Sequence, residues 1–382
     1  MVRLGMTRKI CYVTGTRADF GLMQSTLCAI SESPELTLDI LVTGMHLSAA
    51  HGYTLSEIRS AGLTIRAEVP VDLEPATGAT MARNIGEMIG KFVQHLEVNR
   101  PDFVMLLGDR GEMLAGAIAA IHLNVPVVHI HGGERSGTVD EPVRHAISKL
   151  SHYHFVATEA SRERLIRMGE LPPHVFVTGA PGLDGLELLA SQSREALCDS
   201  QGLDASRPVV LMVFHPVLQE AQSAGDSTRI IMESLALRRC QVVALLPNSD
   251  AGSTDIRNVL LEHMTDPDVR ILTHSQRSGF ASWMACCDAL IGNSSAGIIE
   301  AATFGTPVLN LGSRQNLRER NANTMDVALN RDEILAALDR ALSHGPCVRA
   351  NVYGDGNAGQ RIVRLLSCLP IDADLMAKTN AY

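Results

Sequence analysis

Residues 104–134 constrain the fold more than any other stretch. An apolar run ends in Gly108-Asp109-Arg110, small residues follow from Met113 to His122, and a second apolar run ends in His129-Ile-His131-Gly-Gly-Glu134. This reads as strand, helix, strand, with charged or titratable groups closing both strands. Two neighbouring strands joined through a helix run parallel. Their carboxyl ends lie side by side, and ligands of open α/β sheets bind in the crevice outside those ends. Asp109, Arg110, His131 and Glu134 are therefore expected to converge.

The same alternation runs through the chain. In the first half, strands are expected near 9–13, 36–42, 63–71, 103–107, 125–130, 153–158 and 175–177. Helices are expected near 22–30, 54–61, 80–98, 140–150 and 159–168. A polar stretch, 191–207, reads as an interdomain region. The second series has strands near 209–214, 240–246, 270–272, 289–291 and 307–309. Its helices fall near 228–237, 255–263, 280–286, 296–304 and 332–342. Strands alternating with helices give parallel sheets, so the expected class is α/β with two Rossmann-like domains facing across a cleft. The expected boundaries are 1–188 and 205–355. A chain of 382 residues, 46% hydrophobic and 20% charged, can bury such cores.

Composition narrows the partners. A formal charge of −9 argues against nucleic acid. Eight cysteines show no paired framework and no CxxC. Cys11, Cys28 and Cys240 sit in apolar runs, as reduced thiols of a cytoplasmic protein do. Residues 1–9 lack the apolar core of a signal peptide, and no run approaches the roughly 20 apolar residues of a membrane span. The expected localisation is cytoplasmic, with no membrane partner.

Several turns carry chemistry. Gly15-Thr-Arg-Ala-Asp19 follows a strand and opens a helix; its NH groups and Arg17 suit an anion, or Asp19 is a helix cap. Asn293-Ser-Ser-Ala-Gly-Ile-Ile-Glu300 repeats this arrangement. Ser294 and Ser295 face a phosphate, and Glu300, about two turns in, accepts from ribose hydroxyls; otherwise Asn293 or Ser294 is an N-cap. Arg314, Arg318 and Arg320 follow the next strand and suit a pyrophosphate. His215, in Phe214-His-Pro216, ends a strand at the cleft, where it can donate to a phosphate or glycosidic oxygen. His129-x-His131-x-x-Glu134 would put two imidazoles on one strand face, sterically open to zinc, but no HExxH or Cys/His cluster supports a metal. Gly354-Asp-Gly-Asn-Ala-Gly359 matches GxGxxG without a preceding strand. It reads as the turn into a terminal helix, 360–368.

Taken together, these motifs resemble the hydrolysing UDP-N-acetylglucosamine 2-epimerases of bacterial sialic acid synthesis. The resemblance spans Val13-Thr-Gly-Thr-Arg-Ala-Asp-Phe-Gly21, Val42-Thr-Gly-Met-His46, Leu107-Gly-Asp-Arg110, His129-Ile-x-Gly-Gly-Glu134 and Gly137-Thr-Val-Asp-Glu141. It continues through Arg144-His-Ala-Ile-Ser-Lys-Leu-Ser-His152, Phe214-His-Pro216, Gly292-Asn-Ser-Ser295 and Gly305-Thr-Pro-Val-Leu-Asn-Leu-Gly-x-Arg314. It implies a glycosyltransferase-B-like fold, with a C-terminal helix within 356–382 crossing back to complete the first domain.

The implied reaction removes the C2 proton and expels UDP to give a glycal, then hydrates it to free N-acetylmannosamine. No cofactor and no metal is implied, and the expected assembly is a homodimer or homotetramer. Asp109 and Asp140 match the catalytic carboxylates; base and acid are left unassigned between them. A further family glutamate falls at His131, an imidazole that can relay a proton. Arg17, His215, Ser294, Ser295, Glu300 and Arg314 match nucleotide-binding positions. Asn248 and Arg277 are expected near the base and phosphates. Asp19, Arg110, Glu134 and His145 stand inside shared motifs and are expected at the substrate. The His131 departure is similar to sub-families acting on UDP-2,4-diacetamido-trideoxy sugars, for legionaminic-type acids, which is the alternative substrate. More distant alternatives are a non-hydrolysing epimerase, a glycosyltransferase of the same fold, and a non-catalytic nucleotide-sugar sensor.

Overall fold

The structure, a computed structural model, describes residues 7–381. The signal-peptide reading of the first residues falls largely outside them. Strands β1 (Arg8–Thr14), β2 (Leu36–Thr43), β3 (Ile65–Val69), β4 (Phe103–Leu107), β5 (Val127–Ile130), β6 (Tyr153–Val156) and β7 (Val175–Val177) form one sheet. Its order is β3-β2-β1-β4-β5-β6-β7. Strands β8 (Val209–Val213), β9 (Gln241–Leu245), β10 (Val269–Leu272), β11 (Ala289–Gly292), β12 (Val308–Leu311) and β13 (Thr324–Val327) form the second, in the order β10-β9-β8-β11-β12-β13. Every pairing is parallel. The expected α/β class and paired-sheet architecture are observed.

The period-2 pattern of β1 explains its central place. Ile10 and Tyr12 join Phe20, Met23 and Leu27 of the helix Arg17–Glu32 on one face. Cys11 and Val13 join Met88, Phe92 and Leu96 of the helix Gly78–Val98 on the other. A strand segment buried on both faces must be apolar, as residues 10–13 of this one are.

The last long helix, Ala358–Cys368, leaves the second sheet's neighbourhood and packs on the first. Ile362 and Leu366, one turn apart, enter the core of Phe20 and Leu27. Full burial of each is worth about 1.5–3 kcal/mol. Arg8 ties the crossing down, donating to the carbonyls of Leu366 (2.8 Å) and Leu369 (2.7 Å). The Gly354–Gly359 motif is a turn here, and the Asp184 carboxylate receives Ala358 N at 2.9 Å and Gly359 N at 2.5 Å.

Two local expectations need correction. The polar stretch 191–207 contains a packed helix, Arg194–Gln201, capped by Ser193 and burying Leu197 and Cys198. Arg194 anchors it by donating to Cys286 O (2.6 Å) and Asp288 Oδ2 (2.8 Å). Strand β13 lies where no strand is expected from the sequence. As an edge strand it is half-exposed and shows no apolar run.

One glycine is required by close approach. Gly292 ends β11 at φ +141°, and a Cβ there would lie 2.1 Å from Val213 O. Gly292→Ala is expected to cost about 3 kcal/mol or more, through a backbone clash that flexible side chains cannot relieve. Thermal unfolding checks this; an unchanged midpoint would show that β8 and β11 can separate at their ends.

Candidate active site

Strand order reverses between β1 and β4 in one sheet and between β8 and β11 in the other. Ligands of open sheets bind at such points. The turns after β1 and β4 carry Arg17 and Asp109, and those after β8 and β11 carry His215 and Ser294. All four line a single cleft.

Asp109 is held by two guanidinium groups. Arg144 pairs with it closely, and Arg318, from the second half, stands 3.9 Å away. Burial pushes the Asp109 carboxyl up, but Arg144 and Arg318 outweigh it and leave it below the usual carboxylate range. Arg144 is almost fully buried and also donates to Glu134 O (3.1 Å) and Ser136 Oγ (3.2 Å). Asp140 opens the helix Asp140–Leu150 one turn before Arg144, so both face the cleft. Its carboxyl is pushed up by burial and by Asp109, against Arg314 at 3.8 Å.

His145 lies off that face and does not line the cleft, contrary to expectation. It pairs with Glu141 at 3.5 Å.

His131 and His129 do not share a strand face. Strand β5 ends at Ile130, and His131 turns to φ +62°, a left-handed conformation that histidine tolerates better than most residues. His129 is fully buried, bonding Gly108 O at 2.7 Å and Ser148 Oγ at 3.0 Å. His131 instead meets Glu134 (Nδ1 to Oε1, 2.5 Å), whose other oxygen pairs with Arg318. Burial pushes Glu134 up, but Arg318 and His131 hold it well below the usual range. Among the described residues no group of three His, Cys, Asp or Glu side chains is placed to hold a metal ion.

At the β1 turn the cap and the cleft coincide. Thr16 and Asp19 form a capping box, and Asp19 Oδ2 accepts from Gly15 N (3.1 Å) and Thr16 N (2.8 Å). The Thr14 hydroxyl bonds its other oxygen. Asp19 therefore shapes the turn with both oxygens, beyond its expected place on the cleft wall. Arg17 reaches across to His274 (2.7 Å), which meets Glu57 at 2.5 Å.

In the second half, Ser294 caps the short helix Ser295–Ile299. The Asn293 amide brackets His215, accepting from its N and donating to its O, both at 2.8 Å. Arg314 donates to Asn293 O at 3.1 Å. Glu300 is the C-cap of that helix, about two turns from Asn293, and pairs with Arg277. Burial and then Arg314 push His215 down to about 3, so the ring is neutral at physiological pH. Its Nδ1 accepts from Asn248 N at 3.3 Å, which leaves the ring proton on Nε2. His215 is thus a neutral hydrogen-bond donor.

Sequence reading passes over Arg144 as a site residue and expects Arg318 at a pyrophosphate, whereas it pairs with Glu134 and approaches Asp109. The i, i+4 spacing of Asp140 and Arg144 was the available signal for the first. Arg318 stands on an irregular segment, where no periodicity assigns a face.

A family model described as UDP-N-acetylglucosamine 2-epimerase matches residues 28–367. The chain belongs to the UDP-N-acetylglucosamine 2-epimerase family. It is similar to a relative from Legionella pneumophila named UDP-N,N'-diacetylbacillosamine 2-epimerase (hydrolyzing), at 49% identity over 99% of this chain and 100% of that one. It is 34% identical to a UDP-N-acetylglucosamine 2-epimerase of Neisseria meningitidis serogroup B, over 92% of both chains. Among solved structures, the UDP-GlcNAc 2-epimerase from Neisseria meningitidis bound to UDP-GlcNAc superposes with a TM-score of 0.79. That match has 20% identity and covers 94% of this chain and 99% of that one. This family member thus has the fold read from its alternating strands and helices.

Proposed function

We propose that the protein is a hydrolysing UDP-sugar 2-epimerase whose preferred substrate is UDP-N,N'-diacetylbacillosamine, the 2,4-diacetamido-trideoxy sugar. The substrate rests on the Legionella relative, matched along its whole length at 49% identity, against 34% for the Neisseria enzyme named for UDP-N-acetylglucosamine. The expectation that put UDP-N-acetylglucosamine first gives way to the alternative.

The observation that supports the reaction is the pairing of two carboxyls in one cleft, Asp109 held toward its ionised form by Arg144 and Arg318 and Asp140 pushed toward its protonated form by burial and by Asp109. Inversion at C2 through a glycal needs an ionised carboxylate to take the proton from one face. It needs a protonated carboxyl to return one on the other. Asp109 is the base and Asp140 the acid. Asp109 takes the C2 proton as the C1–O bond breaks and UDP departs with its electron pair. Asp140 then protonates C2 while water oxygen bonds C1, and the water's proton restores Asp140. The C2 proton leaves Asp109 for solvent. Arg17, Arg314, the Ser294 and Ser295 hydroxyls and the Nε2–H of His215 bind the diphosphate, and Glu300 the ribose. His131, held by Glu134, relays protons at the sugar end.

Activity is expected to fall as pH drops through the depressed Asp109 value, because the base protonates. It falls again as pH rises through the elevated Asp140 value, because the acid ionises. A bell-shaped kcat/KM profile checks this; a profile without an alkaline limb would remove Asp140 from its role.

The deciding experiment is proton NMR in deuterated water with each UDP-sugar separately. The expected products are UDP and a free 2,4-diacetamido sugar deuterated at C2, formed at least about tenfold faster than N-acetylmannosamine. A preference for UDP-N-acetylglucosamine would overturn the substrate, and a product still attached to UDP would overturn hydrolysis.

A further inference from the structure

Asp250, on the loop after β9, is not among the residues that line the cleft, yet it joins both walls. Its Oδ1 receives Arg110 Nη2 from the first half at 3.2 Å. Its Oδ2 receives Asn248 Nδ2 at 2.5 Å, and its own N–H returns to Asn248 Oδ1 at 3.3 Å. The backbone N–H of Asn248 in turn donates to His215 Nδ1. Arg110 directly follows Asp109 and takes its second acid, Glu112 (3.3 Å), from its own half. The loop is packed: at Gly252, φ +93°, a Cβ would lie 3.0 Å from Ala221 Cα.

We propose that Asp250 is a positioning residue: it fixes the Asp109–Arg110 turn from across the cleft and, through Asn248, holds His215 in the tautomer that donates from Nε2. A single carboxylate thereby links the group acting at the sugar to the group acting at the leaving phosphate. The charged groups facing Asp250 are Arg110 and Arg314, with the titratable His215 beside them, and Asp140 in turn feels its charge. Neutralising it lowers the polarisation of both partners without removing any atom that touches substrate.

The test compares Asp250→Asn with wild type, using UDP as the binding probe and the UDP-sugar as substrate. The Asn variant keeps the shape and the Asn248 contact but loses the charge on Arg110. Affinity for UDP is expected to stay within about threefold while kcat falls about tenfold or more with KM little changed. Arg110→Met probes the same link from the other side. The double variant is expected to be no slower than the worse single variant, because both break one interaction.

A purely structural ion pair would lower the unfolding temperature and leave kcat within about twofold, which overturns the proposal. A readout independent of turnover is the nitrogen spectrum of histidine-labelled protein. The His215 ring signals are expected to shift in Asp250→Asn, and unchanged signals would equally overturn it. The kinetic arm rests on the epimerase reading. If wild type turns over neither UDP-sugar, that reading fails, while the His215 spectrum still decides the role of Asp250.

Discussion

Asp109→Asn is expected to lower turnover by about three orders of magnitude while UDP still binds with near-wild-type affinity. The amide keeps the volume and an acceptor oxygen for Arg144, but it cannot take the C2 proton. Arg144 also retains Glu134 O and Ser136 Oγ, so the local frame persists. The groups proposed to hold the nucleotide sit mainly on the turns after β8 and β11, in the other sheet. Binding and chemistry therefore separate by halves of the molecule. UDP release under saturating substrate, paired with calorimetric titration of UDP, makes the measurement. An unaltered rate would mean another group removes the proton, and loss of both activities would mean Asp109 shapes the whole cleft.

Arg318→Met is expected to be the most damaging single change to stability. Its guanidinium is 9% exposed and pairs with Glu134, which is 3% exposed, while Asp109 stands 3.9 Å away. Removing one partner of a buried pair leaves the other charge uncompensated, at a cost of about 3–5 kcal/mol. The sign with pH is fixed by direction. Glu134 is depressed in the folded state, so its contribution is present above the unfolded carboxylate value and is lost as pH falls toward the folded one. The gap between wild type and variant should be widest near neutrality and shrink in acid. Denaturant unfolding across pH tests this; a gap independent of pH would mean that the loss is one of packing. Turnover is expected to fall about 100-fold or more, since the cation crosses the cleft to the catalytic base.

The fold was legible because parallel strands buried on both faces must be apolar runs, and helices between them must show the 3.6 period. Where burial is one-sided the signal fades. Strand β13, half-exposed at a sheet edge, and the helix Arg194–Gln201, with few buried side chains, fall there. The site was legible at strand ends, because topology alone brings Asp109, His215 and Ser294 together. Backbone direction was not. The left-handed turn at His131 separates it from His129, and nothing in the side-chain pattern announces a single positive φ. Nor does sequence reveal which arginine crosses a cleft. Arg318, Arg17 and Arg110 find their partners only when two sheets that fold around separate cores are set face to face.

The crossing of the last helix has a consequence for biosynthesis. Residue 8 bonds residues 366 and 369, so the first sheet's core closes with segments 358 or more residues apart along the chain. While the second half emerges from the ribosome, the core around Phe20, Met23 and Leu27 waits without Ile362 and Leu366. A nascent chain in that state exposes surface that invites association with its neighbours or capture by a chaperone. Rare-codon pauses placed after the second sheet would lengthen that interval and lower soluble yield, whereas pauses before β1 would not.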